Sequence, residues 1–273
     1  MTDSNQQNQQ KKLPCIVTTS WDDGSVLDLK LANLLDKYNS KGTFYIPQSC
    51  INHGFSIGNL KEISNCHEIG AHGVSHRDLT KLLPQEAIHE IKESKHFLEG
   101  ILKNEIAMFA YPYGSYNNLI KSHVKDCGYL GARTINPFRF ELAFDAFEMG
   151  VTMHIALFYS FIFRKLGNLK EKILNSYNEQ LSLEDNIVIK QPQVKDYLKL
   201  FRIGLPLLSF VDNKKLIMNI FKRILTTGGI FHLWGHSWEI EQFKMWKSLE
   251  LIFEYISKRP EVKYLTNSGC LEM

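Results

Sequence analysis

Short apolar runs alternate with longer amphipathic stretches along the chain. Runs rich in β-branched residues predict buried strands, and stretches with helical periodicity predict the helices that join them. The predicted strands cover residues 15–20, 42–46, 68–72, 106–111, 129–134, 149–154, 229–236 and 262–266. The predicted helices cover residues 26–39, 59–65, 84–103, 117–127, 155–178, 197–210, 214–226 and 239–258. This alternation is typical of an α/β fold with a parallel sheet.

Length and composition indicate one globular domain. The 273 residues, of which 44% are hydrophobic and 22% charged, suffice for one sizeable core. Residues 1–12 are polar and rich in Gln and Asn, so we predict a disordered tail there and a single domain at 13–273. The tail has no apolar stretch of the kind found in secretion signals, and the longest apolar run, 151–163, is too short to span a bilayer of about 30 Å.

Charge and cysteine content narrow the class further. The net charge of +3, without a dense run of Lys or Arg, argues against a nucleic-acid partner. The five cysteines are odd in number and include no C-x-x-C pair, so a disulfide framework is not expected. Together with the polar start of the chain, these features predict a cytoplasmic location.

Residues able to carry chemistry stand at or just beyond the carboxyl ends of the predicted strands. In a parallel barrel, and at the same edge of an open parallel sheet, side chains at that end converge on one pocket. The residues are Asp22, Asp23, His72, His76, Tyr113 and His236. We therefore expect one pocket that contains all of them.

The first two motifs suit a metal site with a neighbouring base. Of the adjacent carboxylates Asp22 and Asp23, one can bind a metal while the other accepts a proton; the alternative is a helix cap or an Asp-Gly turn. His72 and His76 lie four residues apart, which places two imidazoles on one face of a helix or of a suitable loop. Two imidazoles and one carboxylate leave an open coordination position, as in catalytic zinc sites. The alternative is two unrelated surface histidines.

Three segments together resemble the polysaccharide deacetylase (NodB-homology) family, carbohydrate esterase family four. They are Thr-Ser-Trp-Asp-Asp-Gly at 19–24, His-Gly-Val-Ser-His at 72–76 and Tyr-Pro-Tyr-Gly at 111–114. The family's motifs are T-F-D-D-G, His-Ser/Thr-x-x-His and R-x-P-Y-G. The resemblance covers residues 15–135 and resumes near 229–266. It implies a distorted (β/α) barrel with fewer than eight regular repeats, to which this chain adds a helical insertion around 155–226.

The resemblance also implies a reaction and roles. Asp22 is the expected general base, Asp23, His72 and His76 the metal ligands, and the Tyr113 backbone N–H a donor to the oxyanion. The metal is usually zinc, although such ligands also accept cobalt, nickel or iron. The implied reaction is hydrolysis of the linear amide C–N bond of an N-acetylated sugar, in which water bound to the metal attacks the carbonyl.

The chain departs from the family pattern in its third and middle motifs. Ala110 stands where the third motif has arginine, and we hypothesise that Arg133, at the end of the next strand, supplies the missing guanidinium; a surface salt bridge is the alternative. The middle motif, with its aspartate and tryptophan, is not recognisable between 136 and 228. Asp145 and His154 are the nearest polar candidates there.

The last family motif, L-x-L-H, is altered in the segment 229–239. Period-two alternation places His232, Trp234 and His236 on one face of a strand. His236 stands at the carboxyl end and is favoured as general acid. His232 lies one layer deeper, where a buried hydrogen-bonding residue or a support for the site is expected.

Several aromatic residues near the motifs are candidates for stacking on pyranose rings, with core packing as the alternative. They are Trp21, Trp234, Trp238 and Tyr116. The expected substrate is an N-acetylated saccharide: a glycan, a lipid-linked or a nucleotide-linked sugar. Two other functions stay open, namely an amidohydrolase for a non-sugar amide and a non-catalytic carbohydrate-binding relative. The region 155–210 is interpreted as outer barrel helices, a lid or homo-oligomer interface, or a peripheral membrane contact.

Overall fold

A parallel sheet forms the centre of the protein. The computed structural model describes residues 13–51, 53–156 and 213–273, and the sheet order is β5-β4-β3-β2-β1-β7-β6, with β8 also beside β1. The strands are β1 (Cys15–Asp22), β2 (Thr43–Ile46), β3 (Glu68–Ala71), β4 (Met108–Ala110), β5 (Gly131–Arg133), β6 (Met153–His154), β7 (Gly229–Gly235) and β8 (Val262–Tyr264). The predicted alternation of strands and helices is confirmed.

The helices begin where local sequence favours a helix start. Pro84 takes the first position of the third helix, where its missing N–H costs nothing, and Glu86 accepts the backbone N–H of Leu83. Asn117 caps the fourth helix by accepting the N–H of Ile120. The helices are α1 (Asp28–Lys37), α2 (Ile57–Ser64), α3 (Pro84–Leu102), α4 (Asn118–Asp126), α5 (Asn213–Thr227), α6 (Ser237–Gln242) and α7 (Trp246–Ile256).

One irregular segment, residues 149–154, closes the sheet into a distorted barrel. Met149 forms a parallel bridge with Arg133 of β5, and five residues later His154 pairs with Trp234 of β7. The same segment therefore touches both ends of the row of strands. The predicted (β/α) barrel with fewer than eight regular repeats is confirmed.

The central strand β1 divides the two sides of the barrel wall. All eight of its residues are buried. Val17 and Trp21 belong to the apolar cluster that packs against the helices, whereas Ile16 belongs to the cluster inside the barrel. Because side chains alternate along a strand, Asp22 points to the same side as Ile16, toward the barrel interior.

The structure differs from the predicted elements near the end of the chain. The single helix predicted for 239–258 is wrong: α6 and α7 are separate helices, because Lys244 takes a left-handed φ of 53° between them. The predicted tail 1–12, the predicted helix 197–210, nearly all of the predicted helix 155–178 and most of the predicted insertion lie outside the described residues. Within the described ranges, no helix combines the length and apolar character needed to cross a membrane.

Candidate metal-dependent active site

A small cavity of about 50 Å³ opens at the carboxyl ends of the strands. It is lined by Asp22, Asp23, His72, His76, Tyr111, Tyr113, Gly114, Ile135, Trp234, His236 and Trp238. All six residues predicted to converge at this end are among them. Tyr111, Gly114 and Ile135 were not predicted as lining residues, although two of the three belong to the Tyr-Pro-Tyr-Gly motif.

The three predicted metal ligands meet in a geometry that fits a tetrahedral ion. Asp23 Oδ1 lies 3.8 Å from His72 Nε2 and 3.5 Å from His76 Nε2, and the two Nε2 atoms are 3.1 Å apart. Ligand atoms bound at about 2.1 Å in a tetrahedron lie roughly 3.4 Å from one another. The three side chains therefore fit one divalent cation with a position left open toward the cavity.

The backbone and the surrounding rings orient both imidazoles. The Nδ1 of His72 lies 2.8 Å from the carbonyl oxygen of Ala110, which directs Nε2 toward Asp23. Burial, with the neighbouring His76, lowers the pKa of His72 well below its usual value and favours the neutral imidazole that binds metals. The His76 ring meets the edge of the Tyr113 ring, with centroids 4.7 Å apart.

Asp22, the candidate base, is paired with Arg133. Both side chains are almost fully buried, and Nη2 of Arg133 donates to the two carboxylate oxygens. Ala110 of β4 and Arg133 of β5 are register partners on adjacent strands. The guanidinium therefore enters the barrel at the same level as the family's arginine would, but from the neighbouring strand. This is the position hypothesised from the sequence.

Two aromatic rings enclose the guanidinium. The Arg133 Cζ lies 4.9 Å from the Tyr45 ring centroid and 5.1 Å from the Trp234 ring centroid. Cation–π contacts of this kind strengthen when both groups are desolvated. They offset part of the cost of burying the charge, and they keep Nη2 directed at Asp22.

A buried triad stands on the other side of the cavity. His236 Nε2 lies 3.5 Å from Asp23 Oδ2, while its Nδ1 lies 2.7 Å from Glu239 Oε2. The same Glu239 oxygen is 2.9 Å from His154 Nε2. Burial opposes the charged form of His236, but the carboxylates of Glu239 and Asp23 outweigh it and raise the pKa of His236 to about 10.

The carboxylate of Glu239 is common to both contacts of this triad. Its separations from the two imidazoles, 2.7 and 2.9 Å, are shorter than the roughly 3.4 Å between ligands of a tetrahedral ion. Glu239 accepts a hydrogen bond from Nδ1 of His236, whereas its contact with Nε2 of His154 lacks the geometry of a hydrogen bond. Sequence reasoning did not find Glu239; the signal was its place three residues after His236, at the start of α6.

His232 lies one layer deeper, as predicted. Its Nε2 is 2.8 Å from Ser20 Oγ, and its Nδ1 is 3.0 Å from the Gly150 carbonyl oxygen. Burial, with the nearby charge of Arg133, lowers the pKa of His232 to about 3. His232 is a neutral hydrogen-bonding residue of the interior and does not line the cavity.

Two of the predicted sugar-stacking residues are corrected. Trp21 is fully buried among the helices and donates to Thr19 Oγ1, because it precedes the inward-facing Asp22 on the strand. Tyr116 stacks on Tyr111 at a centroid distance of 4.9 Å and is not among the residues that line the cavity. The other two, Trp234 and Trp238, line the cavity.

Trp238 also orients a proposed metal ligand, because its Nε1 donates to Asp23 Oδ2 over 3.2 Å. The two polar candidates for the middle motif differ in their surroundings. Asp145 caps the turn at 146–148 and pairs with Lys121 at 3.2 Å, away from this cavity. His154, in contrast, belongs to the triad.

The barrel brings an Asp-His-His cluster and a paired carboxylate to one cavity, and this donor set could hold a catalytic metal ion. Residues 9–132 match the family model described as polysaccharide deacetylase. The chain is similar to this family over somewhat less than half of its length.

Curated relatives are similar to this chain over less than half of its length. A bifunctional xylanase/deacetylase of Pseudobutyrivibrio xylanivorans is 24% identical over 122 residues, which are 44% of this chain and 19% of that protein. The peptidoglycan-N-acetylmuramic acid deacetylase PdaC of Bacillus subtilis is 25% identical over 112 residues, 40% of this chain and 24% of that protein. The matched segments thus span a quarter or less of both relatives.

Solved structures match the fold over nearly the whole chain. A Mycobacterium smegmatis structure whose name assigns it to the polysaccharide deacetylases is 15% identical with a TM-score of 0.65, covering 100% of this chain and 94% of that one. The Xyl-CE4 domain of a multidomain xylanase from the Trinervitermes trinervoides hindgut metagenome is 14% identical with a TM-score of 0.54. The match covers 95% of this chain and 90% of that one. At these identities the matches show the fold.

Proposed function

We propose that the protein is a metal-dependent hydrolase that removes the N-acetyl group from an N-acetylated sugar. The observation that carries the proposal is the Asp23-His72-His76 cluster with ligand separations of 3.1 to 3.8 Å, next to the buried carboxylate of Asp22. The similarity of residues 9–132 to polysaccharide deacetylases supports the amide bond of a sugar N-acetyl group as the bond that is cleaved.

The proposed cofactor is a divalent cation, zinc before cobalt, nickel or iron, held by Asp23, His72 and His76. When bound, such an ion polarises the amide carbonyl and lowers the pKa of water. The chain's own residues then orient the substrate and move protons.

Proton transfer is assigned to groups on opposite sides of the cavity. Asp22 accepts the proton of the attacking water, and Arg133 holds that carboxylate at the edge of the cavity. His236 delivers a proton to the departing amine, and Glu239 holds its ring through Nδ1. The backbone N–H of Tyr113 is the proposed donor to the oxyanion.

The size of the cavity favours a small acyl group. A volume of about 50 Å³ holds only a few heavy atoms, which suits an acetyl methyl and carbonyl better than a long acyl chain. Trp234 and Trp238 at its wall offer apolar surfaces to the sugar. The proposed substrates are a glycan, a lipid-linked or a nucleotide-linked saccharide that carries an N-acetyl group.

The test is acetate release from five probes: chitooligosaccharides, peptidoglycan fragments, a UDP-linked N-acetylhexosamine, a polyprenyl-phosphate-linked one and an N-acetylated amino acid. Chelator-treated protein is compared with the same protein supplied with zinc, and Asp22→Asn serves as the inactive variant. Release that requires both zinc and Asp22 is the expected result. Release from an N-acetylated amino acid alone would replace the sugar with a non-sugar amide. Stoichiometric zinc without release from any probe would overturn the proposed activity.

A further inference from the structure

A buried carboxylate lies behind the loop that joins the two histidine ligands. Glu90 of α3 is 5% exposed. Its Oε2 accepts the backbone N–H groups of Val74 and Ser75, each at 2.8 Å, and its Oε1 accepts the hydroxyl of Ser75. One side chain therefore satisfies three donors of the loop between His72 and His76.

The opposite side of the loop is bonded to the backbone. The N–H of Gln48 donates to the carbonyl oxygen of Gly73 over 3.1 Å, and the N–H of Ser49 donates to that of Val74 over 2.8 Å. The loop is thus bonded through its N–H groups on one side and its carbonyls on the other. Only the first set depends on a single replaceable side chain.

The bonded conformation turns both imidazoles toward one point. Gly73 takes a φ of +82° and His76 a φ of +56°, both in the left-handed region. A Cβ on Gly73 would lie 3.2 Å from Glu90 Oε2, so the loop and the carboxylate are closely packed. A left-handed non-glycine residue such as His76 is held in place only when its surroundings over-determine it.

We infer that Glu90 is a positioning residue for the metal centre: it holds the loop 73–75 so that His72 and His76 bind one cation. The inference rests on the proposed function only in taking these histidines as ligands. Without the carboxylate, the backbone N–H groups of Val74 and Ser75 and the Ser75 hydroxyl would lose their acceptor in a part-buried loop. The loop would rearrange to recover partners, and the two Nε2 atoms would separate.

The matched pair of variants is Glu90→Met and Glu93→Met. Both replace a carboxylate of α3 with an apolar side chain of similar length, but the Glu93 side chain is 45% exposed and its carboxylate contacts His96. Apo-protein is titrated with zinc in competition with a chromophoric chelator. We expect zinc to bind about 10- to 100-fold more weakly to Glu90→Met, the range for residues that orient metal ligands. Glu93→Met is expected to stay within about twofold of the wild type.

A second variant keeps the test decisive if Glu90→Met does not fold. Ser75→Ala removes one of the three bonds and no charge, so a smaller loss of zinc affinity is expected. Cobalt-substituted protein gives an independent readout, because the visible absorption of tetrahedral cobalt changes when the ligands move. Zinc affinity within twofold of the wild type in both Glu90→Met and Ser75→Ala would overturn the inference.

Binding and activity separate this inference from the proposed function. Zinc affinity that falls in Glu90→Met, in a protein that releases no acetate, would uphold the positioning role and reject the deacetylase. Metal-independent acetate release with no zinc bound to the wild type would reject the positioning role and the metal requirement, while leaving deacetylation in place.

Discussion

Arg133 and Asp22 form a buried ion pair across the barrel although 111 residues separate them along the chain. The exposed fraction of the two side chains is 0% and 4%. Arg133 enters from β5 at the level of Ala110 on β4, its register partner. An arginine can therefore move to the neighbouring strand and still reach the carboxylate at the end of β1.

Replacement of Arg133 is expected to affect both turnover and stability. Arg133→Met leaves the Asp22 carboxylate buried and unpaired, and breaking one side of a buried pair costs about 3–5 kcal/mol of the free energy of unfolding. Asp22→Asn in the same protein removes the unpaired charge and is expected to restore part of that loss. Urea unfolding of the two single variants and the double variant measures the coupling.

The catalytic consequence of the pair is tested separately. Arg133→Lys retains a charge but lacks the planar guanidinium between Tyr45 and Trp234, so acetate release is expected to fall at least tenfold while zinc affinity stays within about twofold. A rate equal to that of the wild type would reject the role of Arg133 in holding the base.

Metal binding is expected to stabilise the folded protein. Zinc at 100 times its dissociation constant adds about 2.7 kcal/mol to the free energy of unfolding, because it binds only the folded site. Asp23→Ala is expected to abolish this gain and Asp22→Asn to retain it, since only Asp23 faces both histidines at ligand distance. Thermal unfolding with and without zinc measures both. Equal stabilisation of the two variants would contradict the assignment of ligand and base.

Glu239 is expected to act through His236. Glu239→Gln keeps the size of the side chain but removes the charge that holds the ring, so kcat is expected to fall about 10- to 100-fold with little change in zinc affinity. Glu241→Gln on the same helix is the control, because the Glu241 side chain is 56% exposed. Unchanged kcat in Glu239→Gln would show that His236 needs no such partner.

The free energy of unfolding is expected to depend on pH through Asp28. It is fully buried at the start of α1, where it accepts from Ser237 Oγ and from the backbone N–H of Ser25. Burial raises the pKa of Asp28 to about 7, and the hydrogen bond from Ser237 opposes the shift only in part. Between about pH 4 and pH 7 the folded state therefore binds more protons at this site than the unfolded state, so stability falls as pH rises.

Asp28→Asn removes this pH dependence. Its stability relative to the wild type is expected to rise from about pH 4 to about pH 7 and then to level off, by at most roughly 4 kcal/mol. Urea unfolding at constant zinc across this range measures it, with the exposed Asp126→Asn as control. A difference from the wild type that does not change with pH would show that Asp28 ionises normally.

Much of the fold followed from local pattern. The alternation of apolar runs and amphipathic stretches predicted every strand from β1 to β8, because periodicity reflects which face of an element is buried. The break between α6 and α7 was missed because Lys244 is neither Gly nor Pro. A hydrogen bond from the Met245 N–H to the Ile240 carbonyl closes this left-handed turn, and the pattern of polar and apolar residues does not reveal it.

The candidate site likewise has one part that could be predicted from the sequence and another that could not. Asp23, His72 and His76 were recognisable in the sequence because motif spacing and strand ends bring them together. Trp21 was misassigned although alternation along β1 placed it opposite Asp22. Which side chains meet across the barrel, in contrast, depends on the register of the strands and on how the barrel closes.

The sequence by itself determined the strand order along the chain, the ligand types and the end of the barrel at which they meet, since these depend on spacing and on the direction of parallel strands. Only the tertiary structure decided that Arg133 meets Asp22, that Glu239 joins His236 to His154, and that Glu90 bonds the ligand loop. These contacts join residues of different strands, helices and loops, and their distances follow from how elements pack and not from how far apart they lie in the chain.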